Sequence, residues 1–198
     1  MEIMVEEQIK KELFTREGIE LLEINIKYPS FSDEKEKPRT LKGIKKTNKF
    51  YEKITQHCFD YAKNKLLPHA ETEYENNPNP RKRFTNRRYI YTLNYKLTHK
   101  AGNILSLIID VALLHGGRRL RFKRIAHTFD LQSGRLCPLF LFADSDKRTK
   151  KALKEKEAGF YLRENKAVIF TNPAKDRKYR EFSVPIRNKT QEKKKANK

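Results

Sequence analysis

The chain has 198 residues, and its 45 Lys and Arg against 25 Asp and Glu produce a formal net charge of +20. Hydrophobic residues make up 37% and charged residues 35%, while 12 Phe and 9 Tyr supply the aromatic area that a core needs. These values exclude a wholly disordered chain, and the length favours one domain over two of ordinary size.

The positive charge is concentrated in the second part of the chain. Residues 1–80 contain 14 basic and 15 acidic side chains, a net of −1, whereas residues 81–198 contain 31 basic and 10 acidic ones, a net of +21. This asymmetry indicates an anionic partner such as nucleic acid, a wall polymer or an acidic protein. A surface that only keeps the protein soluble explains it equally well.

Targeting and redox features are sparse. The first residues lack the basic and apolar segments of a signal peptide, and the longest apolar stretch, residues 104–114, is too short to span a bilayer. We therefore expect a cytoplasmic protein without a membrane span. Cys58 and Cys137 fit no metal-ligand spacing, and we expect them to be buried thiols rather than a disulfide.

The first predicted element is a β-hairpin. Residues 5–14 and 19–28 flank a turn at Gly18, and apolar residues alternate with polar ones along the second arm. We expect the chain to leave the sheet at residues 28–31. A different period follows, since apolar residues at helical spacing predict one amphipathic helix over residues 41–75, with Pro68 ending or kinking it.

A loop is predicted at residues 76–80, and strands from residue 83 onward. Residues 104–114 fit either a central strand or a helix beginning after Asn103. Further strands are predicted at 118–131, 159–162, 167–170 and 181–184, with a basic helical link at 145–157. We expect one α+β domain over residues 1–187, a twisted antiparallel sheet with the long helix on one face. A disordered Lys-rich tail over 188–198 completes the prediction. The predicted core includes Tyr28, Leu93, Leu107 and Phe160.

Clustered cations form the strongest candidate site. On a strand, alternate side chains point to one face at about 6–7 Å, close to the phosphate repeat of a nucleic-acid strand. Arginine also suits phosphate and carboxylate better than solvation alone requires. The alternative is a solvated outer face that blocks aggregation. The candidate anion-binding residues are Arg81, Lys82, Arg83, Arg87, Arg88, Arg118, Arg119, Arg121, Lys123 and Arg124.

Catalytic and metal sites have little support. The five histidines form no HExxH motif, and His57 is expected to be a packed side chain, while His115 and His127 could approach each other across a hairpin. No phosphate loop, GxSxG elbow or paired acidic motif is present. Asp110 is a single acid within an apolar strand, so an ionised carboxylate there needs a partner or has a raised pKa. We predict no enzyme activity, no cofactor and no metal.

Several short segments together resemble a bacterial family known from the extracytoplasmic sensor domain of RsiV-type anti-sigma factors and from accessory modules of peptidoglycan deacetylases. The matching segments are Ile26-Lys27-Tyr28-Pro29, Ile104-Leu105-Ser106-Leu107, Gly116-Gly117, Phe129-Asp130-Leu131-Gln132-Ser133-Gly134-Arg135-Leu136, Gly159-Phe160-Tyr161-Leu162, Val168-Ile169-Phe170 and Phe182-Ser183-Val184-Pro185. The resemblance implies a strand at residues 104–114, with Asp110 as a structural residue near the rim of the sheet. The sequence departs from the family at Arg118-Arg119 and at residues 171–177.

The resemblance implies a non-catalytic ligand-binding module. The best-studied members bind lysozyme, but lysozyme is itself strongly basic, and two cationic surfaces repel at long range. Because this chain carries +20, lysozyme binding is not carried over. The sequence therefore predicts an RsiV-like module adapted to an anionic partner, either a protein or an anionic polymer. The alternative is a cytoplasmic nucleic-acid-binding protein that uses its Arg-rich face.

Overall fold

The computed structural model of the protein describes residues 3–34, 38–85, 87–155, 157–171 and 180–187. The strands in this part of the chain are β1 (Ile3–Arg16), β2 (Ile19–Asp33), β3 (Tyr89–Ala101), β4 (Ile104–His115), β5 (Arg118–Asp130), β6 (Arg135–Leu136), β7 (Gly159–Arg163), β8 (Lys166–Thr171) and β9 (Arg180–Pro185). The α-helices are α1 (Pro38–Tyr61), α2 (Leu67–Glu75), α3 (Pro80–Phe84) and α4 (Lys147–Leu153). The predicted disordered tail, residues 188–198, lies outside the described residues.

The strands form two sheets, and the predicted α+β class is confirmed. One sheet has the order β1-β2-β3-β4-β5-β6, and the other has the order β7-β8-β9. The larger sheet is mixed, because β2 and β3 pair in parallel from Leu22 opposite Tyr89 to Ile26 opposite Leu93. Parallel neighbours require a crossover connection, and here helices α1, α2 and α3 lie between the two strands in sequence.

The N-terminal hairpin is confirmed, but its second strand is longer than predicted. β2 continues past Tyr28 to Asp33 and stays paired with β1, with Pro29 opposite Glu7. Proline is tolerated in a strand where its nitrogen faces no hydrogen-bonding neighbour. Within the described residues β3 pairs with β2 only as far as Ile26, so Pro29 lies where β2 has a neighbour on one side.

The long predicted helix is confirmed as two α-helices joined by a π-helical turn, Ala62–Leu66. Pro68 does not end it: the helix is widened in the preceding turn, where the Leu67 N–H donates to the carbonyl of Ala62. Widening separates the proline ring from the carbonyl four residues earlier, with which it would otherwise clash. The amide of Asn48 holds α1 against the end of β2 by bonding both backbone groups of Phe31 at 2.9 Å.

Residues 80–84 form helix α3, so the prediction of strand structure from residue 83 was wrong. Asn79 caps this helix by accepting a hydrogen bond from the Lys82 N–H at 3.2 Å, and Pro80 occupies its first turn. Both signals are typical of a helix start. Strand β3 begins only at Tyr89.

The described residues group into two compact units. Of the described residues, those within 3–96, 109–124 and 131–134 belong to the first unit, and those within 97–108, 125–130 and 135–187 belong to the second. The first unit is built on the β1–β2 hairpin and on α1, which packs against β2. The predicted single domain over residues 1–187 stays a prediction.

The core of the first unit contains Leu22, Ile24, Ile26 and Leu93, which are all fully buried. In the second unit Leu139, Ala152, Leu162 and Ile169 belong to one apolar cluster, in which α4 meets the smaller sheet. A polar link also joins strands of this unit, since the Ser106 hydroxyl accepts from the Leu162 N–H at 2.9 Å and lies 2.8 Å from Thr128 Oγ1.

Of the predicted core residues, Leu93 and Leu107 are buried. Tyr28 and Phe160 are only half-buried. Residues 105–109 are buried in succession, which confirms the strand at 104–114 and excludes the helix considered for it. A strand covered on both faces has this uninterrupted apolar pattern.

Gly43 marks the closest approach of helix α1 to the turn that follows β5. A Cβ at this position would lie 2.6 Å from the carbonyl oxygen of Gln132, a backbone atom that no side-chain rotation can move away. We expect Gly43→Ala to destabilise the protein by about 1–3 kcal/mol through overpacking. Urea unfolding would measure it, with the exposed neighbour Lys42→Ala as a control expected to change little.

Candidate anion-binding site

The first basic cluster lies on helix α3 and on the segment that leads into β3. Arg81, Lys82 and Arg87 are exposed, while Arg83 and Arg88 are half-buried. In the sequence, nothing distinguishes these five cations from one another. Their partners in the structure separate them into two groups.

Arg83 forms an ion pair with Glu73 of helix α2. Its Nη2 lies 2.9 Å from Glu73 Oε1, and the Tyr89 hydroxyl donates to the other carboxylate oxygen at 2.6 Å. Partial burial works against ionisation of Glu73, but the hydrogen bonds from Tyr89 and Arg83 outweigh it and lower its pKa. Burial and the bond to Glu73 raise the pKa of Tyr89. Arg83 is thus held in an internal network.

Arg88 and Arg124 are also neutralised by the protein's own carboxylates. Arg88 joins two acids of β2, with Nη1 2.6 Å from Glu20 and Nη2 2.8 Å from Glu23. Arg124 binds both oxygens of Asp110, at 2.7 and 2.8 Å. Arg124 is therefore the partner that the Asp110 carboxylate requires within an apolar strand. We assign structural roles to Arg83, Arg88 and Arg124.

The second basic cluster begins at the turn between β4 and β5. Gly116 and Gly117 both have positive φ, 56° and 75°, as a two-residue turn of this kind requires. Every residue from 116 to 121 is exposed. This includes Leu120, which is 52% exposed, so at its start β5 presents both faces to solvent.

Two of these arginines rest on aromatic side chains. The Arg119 guanidinium lies 4.7 Å from the centre of the Phe122 ring, and Arg121 Nη1 donates to the Tyr61 hydroxyl at 3.1 Å. Lys123 is exposed as well. The contacts with Phe122 and Tyr61 restrict the side chains of Arg119 and Arg121 without neutralising their charge.

The structure brings the two clusters together. A Cβ on Gly116 would lie 3.5 Å from Cγ of Arg87, and the Phe84 and His115 rings are 6.4 Å apart between centroids. Helix α3 and the β4–β5 turn therefore lie side by side. Together the exposed cations form what we call the basic surface: Arg81, Lys82, Arg87, Arg118, Arg119, Arg121 and Lys123.

An open depression of about 600 Å³ lies within the basic surface. It is lined by Asn77, Asn79, Lys82, Arg83, Thr85 and Arg87. Among the described residues, Arg81, Lys82, Arg87 and Arg118 form no ion pair with an acid. The depression thus offers amide and cationic donors, a combination suited to oxyanions, whereas the Thr85 hydroxyl already donates to the carbonyl of Arg81 at 2.6 Å.

His115 and His127 pack with aromatic neighbours of their own and not with each other. His115 stacks on Tyr89 with 4.1 Å between ring centroids, whereas His127 is buried beside Phe129. His57 is exposed, so its predicted packing was wrong. Helix α1 buries Thr55 and Phe59. His57 lies two positions from each of them, and two residues rotate a helix by about 200°, so its side chain points away from the buried face. Both cysteines are free thiols whose pKa is raised by burial.

Within the described ranges, no group of three or more His, Cys, Asp or Glu is arranged to hold a metal ion. Nor does any helix in these ranges combine the length and the apolarity needed to cross a membrane.

Comparison with known proteins shows the fold and no activity. No protein-family model matches the chain, and no curated protein matches it significantly. The chain resembles a DUF3298 family protein from Bacteroides fragilis, with 16% identity, a TM-score of 0.58 and coverage of 92% of this chain and 90% of that one. It also resembles a DUF3298 family protein from Pseudomonas aeruginosa, with 10% identity, a TM-score of 0.56 and coverage of 93% and 91%.

These similarities place the protein in a fold class. It has the α+β fold seen in DUF3298 proteins, a domain family of unknown function. At such low identity the similarity extends to the fold and not to any binding residue.

Proposed function

We propose that the protein is a non-catalytic binding module of the RsiV-like type whose basic surface binds an anionic partner. The observation that carries this proposal is the exposure of seven of the ten predicted cations, next to three arginines that are neutralised internally. The three arginines that contribute to folding are each paired with a carboxylate of the same chain. The basic surface instead presents its cations to an external anion.

The geometry of the basic surface suits a polyanion. Arg119, Arg121 and Lys123 alternate along β5, so their Cα atoms are about 6–7 Å apart. Arg119 and Arg121 are oriented in advance by Phe122 and Tyr61, which lowers the entropic cost of binding. A basic partner such as lysozyme is disfavoured because it would be repelled by the net charge.

The second candidate is a cytoplasmic nucleic-acid-binding protein, favoured by the spacing of these three cations. That spacing approaches the phosphate repeat of a nucleic-acid strand. The two candidates predict different ligands for one surface. An acidic protein or a wall polymer supports the first, and RNA or DNA supports the second.

The test replaces Arg119, Arg121 and Lys123 together by Gln. Binding of fluorescent single-stranded RNA, duplex DNA and an anionic wall polymer is measured by anisotropy at several salt concentrations. We expect weaker binding and a salt dependence flatter by up to about three units, because three fewer counterions are released. Folding is expected to change little, since exposed charges of one sign contribute little to stability.

A matched control replaces Lys42, Lys49 and Lys53, which are exposed on helix α1, by Gln. This variant loses the same charge and should bind like the parent. The proposal is wrong if no polyanion binds below about 100 μM near physiological salt. It is equally wrong if both triple variants lose the same affinity, since that would show a response to net charge alone.

A further inference from the structure

The larger sheet ends in a long exposed edge strand. β1 has 14 residues and occupies the end of the strand order, next to β2. It carries exposed apolar residues on both faces: Ile9 (54% exposed) and Leu13 (48%) lie on one face, and Met4 (44%) lies on the other. A long edge strand with apolar side chains is a template for pairing with another strand.

The charges of β1 are balanced, unlike those of the whole chain. Glu6, Glu7 and Glu12 are matched in number by Lys10, Lys11 and Arg16. The excess of +21 belongs to residues 81–198. The edge of β1 therefore does not repel its own copy locally. The net charge of +20 still repels a second copy at long range, as it does any basic partner, so we expect the dimer to become tighter as salt rises.

From these features we infer that β1 pairs antiparallel with β1 of a second copy, about a two-fold axis at Ile9. In such a pair, residues equally distant from the axis face each other on the same side of the sheet. Ile9 then meets Ile9 of the second copy, Glu7 meets its Lys11, and Val5 meets its Leu13. Symmetry repeats the last two pairs, so the exposed apolar side chains are covered and flanked by opposite charges.

An axis at Gln8 creates no like-charge pair, but it places Ile9 opposite Glu7 of the second copy and removes the apolar partner of Ile9. Three registers with the axis beyond Ile9 are less favourable because of charge. An axis at Lys10, Lys11 or Glu12 places two like charges directly opposite each other, which destabilises a strand pair. Symmetry likewise repeats the like-charge pair that the axis at Ile9 leaves on the other face, Glu6 with Glu12 of the second copy. Lys10 of that copy is its diagonal neighbour and reduces the repulsion.

The α1 helices do not obstruct this pairing. Helix α1 packs on β2, so the two α1 helices would be separated by three strand spacings, about 14 Å. Packed helices need only 8–10 Å between axes, roughly the diameter of one helix. Glu7 also forms an ion pair at 3.2 Å with Lys27 on β2 of its own chain, so in the dimer its carboxylate would lie between that lysine and Lys11 of the second copy.

The test is sedimentation velocity over a concentration series of the full chain. We expect a monomer–dimer equilibrium, and we expect Ile9→Lys to raise the dimer dissociation constant at least about tenfold by placing two cations at the axis. Leu120→Lys is the matched control, since Leu120 is 52% exposed on another strand and should leave dimerisation unchanged.

Charge exchange tests the register. Lys11→Glu should weaken the dimer because Glu7 of the second copy then faces a carboxylate instead of an ammonium group, and adding Glu7→Lys should restore it. An axis at Lys11 would give no such restoration, since the two introduced carboxylates would still face each other. A monomer at every concentration, or a dimer unaffected by Ile9→Lys, would overturn the proposal. Circular dichroism of each variant separates lost pairing from lost folding, and the anisotropy titrations report on the basic surface independently.

Discussion

Replacing Leu107 by Ala is expected to lower the free energy of unfolding by about 2–5 kcal/mol. Leu107 lies on β4 within the run of buried residues 105–109 and has no exposed surface. The truncation removes apolar contacts and leaves a cavity that the neighbouring strands can fill only in part. Urea unfolding followed by circular dichroism gives the difference directly.

The matched control for this prediction is Leu120→Ala. The same atoms are removed there from a side chain that is 52% exposed, so we expect a change within about 0.5 kcal/mol. Equal effects for the two variants would show that β4 is not a central strand. A cost below about 1 kcal/mol for Leu107→Ala would lead to the same conclusion.

The second large effect is a loss of stability on acidification that depends on His127. This side chain is buried on β5, and burial lowers its pKa from 6.5 to about 4. The folded protein therefore keeps the ring neutral at pH values where the unfolded chain already binds a proton. Protonation of His127 therefore lowers the stability as the pH drops from about 6.5 to about 4, and below about pH 4 it causes no further loss. The whole interval is worth about 3 kcal/mol.

His127→Gln tests this effect because glutamine does not titrate. We expect the variant to lose about 3 kcal/mol less than the parent between pH 7 and pH 4, whatever its stability at pH 7. Burial also lowers the pKa of His99 and His115, but both are present in parent and variant, so the difference reports His127. Identical pH profiles for His127→Gln and the parent would contradict the prediction.

Local periodicity was sufficient to predict the types of most elements. Leu22, Ile24 and Ile26 alternate with half-buried residues along β2, as their spacing of two predicts. The long helix was equally visible from its apolar stripe. Helix α3 was missed although its start signals, Asn79 and Pro80, stand in the sequence, because five residues are too few for a helical period to show.

The pairing of the strands required the tertiary structure. Nothing local to Leu22–Ile26 indicates that it lies parallel to Tyr89–Leu93, more than sixty residues away. The division of the strands into two sheets is also a long-range property. Alternation specifies which face of a strand is buried, but it does not specify the neighbouring strand.

For the candidate site, the sequence by itself determined that the cations cluster after residue 80 and that their number far exceeds the acids there. Only the tertiary structure decided which cations are available to a partner. Arg88 is neutralised by Glu20 and Glu23, 68 and 65 residues away, whereas Arg87 beside it is exposed. A charge is cancelled by whatever carboxylate the fold places within about 4 Å, and that distance is set by chain folding rather than by position in the sequence.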